Sequence, residues 1–174
     1  MICTLCPRNC KAERAEETGA GVCRMGTMPR IARAALHMWE EPCISGTRGS
    51  GAVFFTGCNL RCVFCQNHEI AAGKRGQKID ESHLAEIFLK LQQQKANNIN
   101  LVTPTQYVLP IIAAVKKAKA QGLKIPVVYN TSGYERVETL KNLEGIVDVY
   151  LPDFKYMSPG LSKKYSHAPD YAEV

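Results

Sequence analysis

At 174 residues the chain can hold one ordinary domain with a small appendage, and its hydrophobic fraction of 45% is typical of a globular protein. No apolar run is long enough to span a bilayer, which argues against a membrane protein. The net charge of +6 comes from scattered basic residues without interleaved aromatic residues, which argues against a nucleic-acid surface.

The eight cysteines are a high count for a chain of this size. The first residues contain no charged segment followed by an apolar one, so we expect no secretory signal and a cytoplasmic location, where thiols stay reduced. Metal binding or catalysis then explains the cysteines better than disulfides do. They form two groups: the head cysteines Cys3, Cys6, Cys10 and Cys23, and the loop cysteines Cys58, Cys62 and Cys65. Cys43 stands alone and is interpreted as a free structural thiol.

Residues 1–50 are predicted to form a small Cys-rich head. The head cysteines can bind zinc tetrahedrally or hold a second iron centre, and their spacing does not choose between the two metals. One interpretation is a metal that stabilises a head too small to fold alone. The other is an auxiliary redox centre. Within this head, residues 31–38 predict a strand, and glycines 46, 49 and 51 predict a loop.

From residue 52 onward, buried strands alternate with amphipathic helices. Strands are predicted at residues 52–56, 100–102, 125–129 and 146–151. Asp80 is predicted to cap the first helix, Gly122 ends the second, and Val137 starts a short third. This βαβαβαβ series predicts an α/β fold with about four parallel strands and right-handed crossovers.

Polar segments follow all four predicted strands. Because parallel sheets bind ligands at the carboxyl ends of their strands, these segments are expected to line one site. They are the loop cysteines, Thr103–Gln106, Asn130–Gly133 and Pro152–Lys155.

The loop cysteines lie within eight residues and have no fourth thiol nearby. A cubic iron–sulfur cluster normally has four thiolate ligands, so three would leave one iron open to a ligand that is not cysteine. The alternatives are inert core packing and half of a zinc site. The position of the cysteines after a buried strand favours the cluster.

This C-x3-C-x2-C spacing, with Phe64 before the third cysteine, resembles the signature of the radical S-adenosylmethionine (SAM) superfamily. The whole chain is similar to a pyruvate formate-lyase activating enzyme-like group of that superfamily. The likeness rests on the segments Cys6–Cys10, Glu40–Pro42, Phe54–Cys58, Cys65–Asn67 and Val128–Tyr134. It implies a partial (β/α) barrel and a [4Fe–4S] cluster whose unique iron is chelated by SAM. It also implies reductive cleavage of SAM to a 5′-deoxyadenosyl radical that abstracts hydrogen from a substrate.

The same resemblance implies which residues contact SAM. The aromatic ring beside the third cysteine would meet adenine, and residues 103–106 would take the place of a glycine-rich segment near the methionyl amine. Residues after the third strand would meet the methionyl carboxylate or ribose, and an Asp-x-Lys pair would close the site. The expected cofactor-binding residues are Phe64, Thr105, Asn130, Thr131, Ser132, Asp153 and Lys155. Each also has a purely structural interpretation. Phe64 fits a core aromatic, residues 130–133 fit a helix cap and turn, and Asp153 with Lys155 fits a solvated ion pair.

Barrels of this superfamily generally have six strands, so the resemblance implies that the core at residues 51–174 is truncated at its C-terminus. An open sheet edge then predicts association or poor solubility of the isolated chain.

The leading functional hypothesis is a radical SAM enzyme, with glycyl-radical activation as one form. The alternatives are a non-catalytic electron-transfer iron–sulfur protein and a zinc-stabilised interaction module. The implied partners are SAM, an electron donor such as flavodoxin or ferredoxin, and a protein substrate. The four histidines have no partner pattern, and no catalytic side chain is predicted.

Overall fold

A computed structural model describes the whole chain, residues 1–174. It contains one six-stranded sheet in the order β3-β1-β2-β4-β5-β6. The strands are β1 (Arg30–His37), β2 (Ser50–Phe55), β3 (Gln77–Lys78), β4 (Ile99–Val102), β5 (Val127–Thr131) and β6 (Val149–Pro152). The helices are α1 (Pro42–Ser45), α2 (His68–Ala71), α3 (Glu81–Gln93), α4 (Val108–Ala120), α5 (Val137–Lys141) and α6 (Pro159–Ser166).

The predicted parallel series is confirmed, since β2, β4, β5 and β6 pair parallel in that order. Helices α3 and α4 cover one face of the sheet, and their apolar sides build a core of 20 buried residues. Asp80 caps α3 as predicted, because its carboxylate accepts a hydrogen bond from the backbone N–H of His83 at 2.7 Å. The α/β fold is therefore as expected, and its sheet is compatible with part of a (β/α) barrel.

The sheet is mixed, which the local sequence pattern did not predict. Strand β1 pairs antiparallel with β2, and the short β3 pairs antiparallel with β1. The strand predicted at residues 31–38 therefore belongs to the main sheet, so the sheet crosses the boundary drawn after residue 50. The local sequence pattern does not predict this pairing, because β1 hydrogen-bonds along the free edge of β2, and β2 begins 13 residues after the end of β1.

The C-terminal segment contains a helix where no regular element was predicted. Ser158 caps α6 by accepting a hydrogen bond from the N–H of Leu161, and Pro159 occupies the first turn. Strand β6 forms the open edge of the sheet, and Val149 and Tyr150 there are 39% and 44% exposed. None of the helices combines the length and the apolar character needed to cross a membrane.

Candidate functional site

A tight loop, Cys58–Cys65, follows β2 and is called the cluster loop below. Gly57 leads into it with φ of 86°, and a Cβ there would lie 2.3 Å from the side chain of Met25. The Gln106 amide donates to the carbonyls of Thr56 and Gly57, both at 3.1 Å, and so fixes this entry. Within the loop, Asn59 is buried and donates to the carbonyl of Tyr134 at 2.7 Å. The loop conformation is therefore set by packing and hydrogen bonds on both sides of the first thiol.

One cavity of about 340 Å³ joins the cluster loop to the carboxyl ends of the three following parallel strands. This volume falls in the range of about 300–1,000 Å³ that is common for small-molecule sites. Its lining includes all three loop cysteines and six of the seven expected cofactor residues: Phe64, Asn130, Thr131, Ser132, Asp153 and Lys155. The structure thus brings together side chains that lie up to 97 positions apart in the sequence. Gln66 and Asn67 also line the cavity, although no role was predicted for them.

Thr105 is the expected cofactor residue that the structure places elsewhere. Its side chain is buried, and its hydroxyl donates to Glu135 Oε1 at 2.6 Å. The turn after β4 directs Thr103 into the cavity and Thr105 beneath it, because a short 3-10 turn begins at Thr105. Direct contact between Thr105 and a ligand in this cavity is therefore not supported.

Glu135 is a buried carboxylic acid that the sequence did not mark. It accepts hydrogen bonds from Thr105 and from Thr131, so it ties the turn after β4 to the end of β5. Its second oxygen is buried without a hydrogen-bond partner. Burial raises the pKa of Glu135 to about 7. The two hydroxyl donors stabilise the ionised carboxylate and so lower the pKa, but burial has the larger effect.

Thr103 has a strained backbone at the wall of the cavity. Its φ is 57°, a left-handed conformation that is unusual for a β-branched residue. Its N–H donates to the carbonyl of Asn130 at 3.0 Å, which holds the turn against β5. Strain of this kind is commonly retained at functional sites.

Asp153 and Lys155 form an ion pair at the cavity wall after β6. Burial alone would lower the pKa of Lys155, but the hydrogen bond and negative charge of Asp153 outweigh it and raise that pKa. The ammonium group is therefore charged near neutral pH and is available to a carboxylate ligand.

The ring of Phe64 lies at the mouth of the cavity and is 57% exposed. It meets the rings of Tyr156 and Tyr165 edge-on, each at a centroid distance of 6.4 Å. The core-aromatic interpretation is therefore wrong for Phe64, since the ring is held from one side and leaves apolar surface free.

The loop cysteines suit an iron–sulfur cluster by their chemistry. They are three soft sulfur donors on one cavity wall, and burial raises the pKa of the Cys58 thiol, so a metal is needed to stabilise its thiolate. Their arrangement in the structure is not yet a coordination group, because no three His, Cys, Asp or Glu side chains are close enough to hold a metal ion.

The head cysteines surround a second, much smaller cavity of about 20 Å³. Here too the thiols share one space without forming a coordination group, so the predicted metal-binding head is not demonstrated. Cys43 is exposed and distant from both groups in the sequence.

The head contacts the cluster loop through Arg8, which lies between two of its cysteines. The guanidinium donates to the carbonyls of Asn59 and Leu60 in the cluster loop, at 2.8 and 3.2 Å. It also donates to the carbonyls of Ser166 and His167 at the end of α6. One side chain thus connects the head, the cluster loop and the C-terminal helix.

A polar group on the other face of the sheet also approaches the cavity. Glu40 accepts a hydrogen bond from the Asn130 amide at 3.4 Å, and His37 lies 3.9 Å from the same carboxylate. Burial raises the pKa of Glu40, and the charge of His37 opposes that shift. The sequence offered only the similarity of the segment around Glu40 as a signal.

Two comparisons with known proteins show the family of the chain. Residues 52–174 match the family described as the Radical SAM superfamily, a range that includes the cluster loop and every strand end of the cavity. The chain is also 32% identical over 181 residues to the uncharacterized protein MJ0674 of Methanocaldococcus jannaschii. That alignment covers 99% of this chain and 51% of the relative, so the chain spans about half the length of that protein.

Proposed function

Because the chain belongs to the radical SAM superfamily, we propose that it is an enzyme that cleaves SAM reductively at the cluster loop. The loop cysteines would hold a [4Fe–4S] cluster, and SAM would occupy the adjoining cavity. The observation that carries this proposal is a single cavity lined by three thiols and by the polar ends of β4, β5 and β6. When bound, the cluster would supply one electron to SAM and so release a 5′-deoxyadenosyl radical for hydrogen abstraction.

The residues of the cavity match the parts of SAM. Three thiols leave one iron of a cubic cluster free of protein ligands, which is where an amino acid moiety can bind. The Lys155 ammonium, held by Asp153, is a partner for the carboxylate of that moiety. The free face of the Phe64 ring suits the adenine base.

Polar side chains near the end of β5 would orient the rest of the cofactor. The Asn130 amide and the Ser132 hydroxyl offer donors and acceptors to the methionyl carboxylate or the ribose. The Thr131 hydroxyl is already engaged by Glu135, so its side chain contributes shape rather than a hydrogen bond to the ligand. Thr105 supports this wall from beneath through the same carboxylate.

The substrate is proposed by resemblance alone. The segments shared with activating enzymes, Val128–Tyr134 among them, support a glycyl-radical enzyme as the first protein substrate to try. The electron donor would be a flavodoxin or a ferredoxin, as is general for such enzymes.

The test separates SAM binding from SAM cleavage. The chain is reconstituted anaerobically with iron and sulfide, reduced, and examined by EPR with and without SAM. We expect about four irons per chain, a SAM-dependent change of the EPR spectrum, and 5′-deoxyadenosine as product. The control Cys43→Ser should behave as the unmodified protein does, whereas Cys62→Ser should lose all three signals.

If the cluster is fully loaded and its EPR spectrum does not change on addition of SAM, the proposal is contradicted and an electron-transfer protein is favoured. Zinc without iron or sulfide after anaerobic purification would favour an interaction module instead.

A further inference from the structure

The head cysteines come from two stretches of the sequence, residues 3–10 and Cys23, that the structure folds onto one another. Isolated antiparallel bridges join Ile2 to Glu13, Arg14 to Gly19, and Thr18 to Met25. With few other regular elements, these bridges bring the four thiols around a single small space, with Cys3 buried and Cys10 exposed. The head therefore has the features of a small unit whose centre is thiol-lined rather than hydrophobic.

The space that the head thiols share is small. Its volume is about 20 Å³. That is little more than the volume of about 10–15 Å³ that one water molecule needs. A single ion fits this volume, whereas a cubic cluster with its four sulfides would require the thiols to move apart.

A buried cation without a carboxylate partner lies beside this space. Arg14 is only 3% exposed, and it forms no ion pair with any Asp or Glu. It donates to the backbone carbonyls of Met25, Gly26 and Gln106, and its Nη1 approaches the sulfur of Cys3 at 3.8 Å. Because an uncompensated buried charge is costly, an anionic group next to Arg14 is expected.

Arg8 supplies a second positive charge at the same place. It lines the thiol cavity and donates only to backbone carbonyls, so it too has no acidic partner. Four thiolates around one divalent ion carry a net charge of −2, which the two guanidinium groups balance.

We propose that Cys3, Cys6, Cys10 and Cys23 bind one zinc ion as a closed four-thiolate site, with Arg14 and Arg8 as its countercharges. Each thiol gives its proton to solvent as its sulfur bonds to the metal, so four protons leave for each zinc bound. Neither the head cysteines nor the loop cysteines are close enough in the structure to hold a metal ion. The two groups therefore do not differ in this respect, and both would close around their metal on binding it. The site is structural, because four protein ligands leave zinc no open position.

The zinc site also has a consequence for the cluster loop. Arg8 lies between two of the proposed ligands, and it holds the carbonyls of Asn59 and Leu60. Fixing the head on zinc therefore fixes one side of the loop that carries Cys58. This role does not depend on whether SAM is cleaved.

Metal analysis of the full chain tests the proposal when the cluster loop has been made unable to bind metal. In a background carrying Cys58→Ala, Cys62→Ala and Cys65→Ala, purified without chelators, we expect about one zinc per chain and no iron above trace. Adding Cys6→Ser or Cys10→Ser should remove most of that zinc, whereas adding Cys43→Ser should leave it unchanged.

X-ray absorption of the same background, with its head intact, guards against head variants that fail to fold. We expect four sulfur neighbours at about 2.3 Å from zinc. Nitrogen or oxygen in the first shell, no retained zinc, or iron in place of zinc would each overturn the assignment. Iron in the unmodified chain is counted separately, so a failure here is distinct from a failure at the cluster loop.

Discussion

The two groups of cysteines lie in contrasting surroundings. The loop cysteines number three and share a cavity of about 340 Å³ with polar strand ends. The head cysteines number four and line a cavity of about 20 Å³ near two arginines, Arg8 and Arg14, that have no acidic partner. Catalytic metal sites keep an open position and structural sites are closed. Under the two proposals, the number of thiols and the space beside them give the groups opposite roles. The sequence already indicated an open cluster for the loop cysteines, but it left zinc and a second iron centre open for the head cysteines.

The strongest test of this contrast is to remove one thiol from each group. Cys62→Ser should reduce 5′-deoxyadenosine formation to the level seen without protein, because two thiolates no longer hold the cluster. Cys10→Ser should lower the thermal midpoint through loss of zinc and leave iron binding to the loop cysteines in place. Iron, zinc and product are measured for both variants and for Cys43→Ser. Equal loss of iron in Cys62→Ser and Cys10→Ser would remove the distinction between the groups.

The next test breaks the connection between the two groups. Arg8→Ala should lower the free energy of unfolding by roughly 2–4 kcal/mol, because several carbonyls lose a charged donor. It should also accelerate loss of iron during gel filtration, since the cluster loop loses one of its anchors. Denaturant unfolding and iron content are the measurements, and Arg33→Ala, an exposed arginine on β1, is the matched control. Normal iron retention in a destabilised Arg8→Ala protein would show that the head does not support the loop.

Much of this arrangement was predictable because it depends on short patterns. The loop cysteines follow β2, Asn130 lies near the end of β5 and Lys155 follows β6, and parallel topology alone brings such positions to one edge. Asp80 was predictable from its cap position. Ser158 followed by Pro159 is an equally clear helix start. It was missed because the residues after it show no helical periodicity of apolar side chains.

What could not be predicted depends on contacts between distant segments. The pairing of β1 with β2 requires knowing which sheet edge is free. Thr105 and Thr103 differ by two positions in one turn, and only the observed backbone decides which faces the cavity. Glu135 has no motif, and its importance follows from burial between Thr105 and Thr131.

Glu135 provides a pH-dependent test of the support beneath the larger cavity. Its pKa of about 7 lies above the ordinary value, so it stabilises the fold most when protonated. That contribution is complete below the unfolded pKa and is lost as the pH rises through 7. Glu135→Gln should therefore gain roughly 2 kcal/mol relative to the unmodified protein between pH 5.5 and pH 8.5.

Denaturant unfolding of both proteins at the two pH values measures this difference. Glu138→Gln, a change in an exposed carboxylate nearby, is the control and should show no such gain. A pH-independent difference between Glu135→Gln and the unmodified protein would mean that Glu135 is already ionised in the fold.

The smallest expected effect concerns strain at the wall of the larger cavity. Thr103 has φ of 57°, and glycine adopts that conformation without a steric penalty. Thr103→Gly should stabilise the fold by about 1 kcal/mol, because relief of strain exceeds the added freedom of the unfolded chain. Lys95→Gly is the matched control, since Lys95 has φ of 67° in the turn after α3, away from the cavity. Both should raise the unfolding free energy, but only Thr103→Gly should weaken SAM binding, measured by the SAM concentration that changes the EPR spectrum. If SAM binding is unchanged in both variants, the strain at Thr103 serves the packing of the turn and not the ligand.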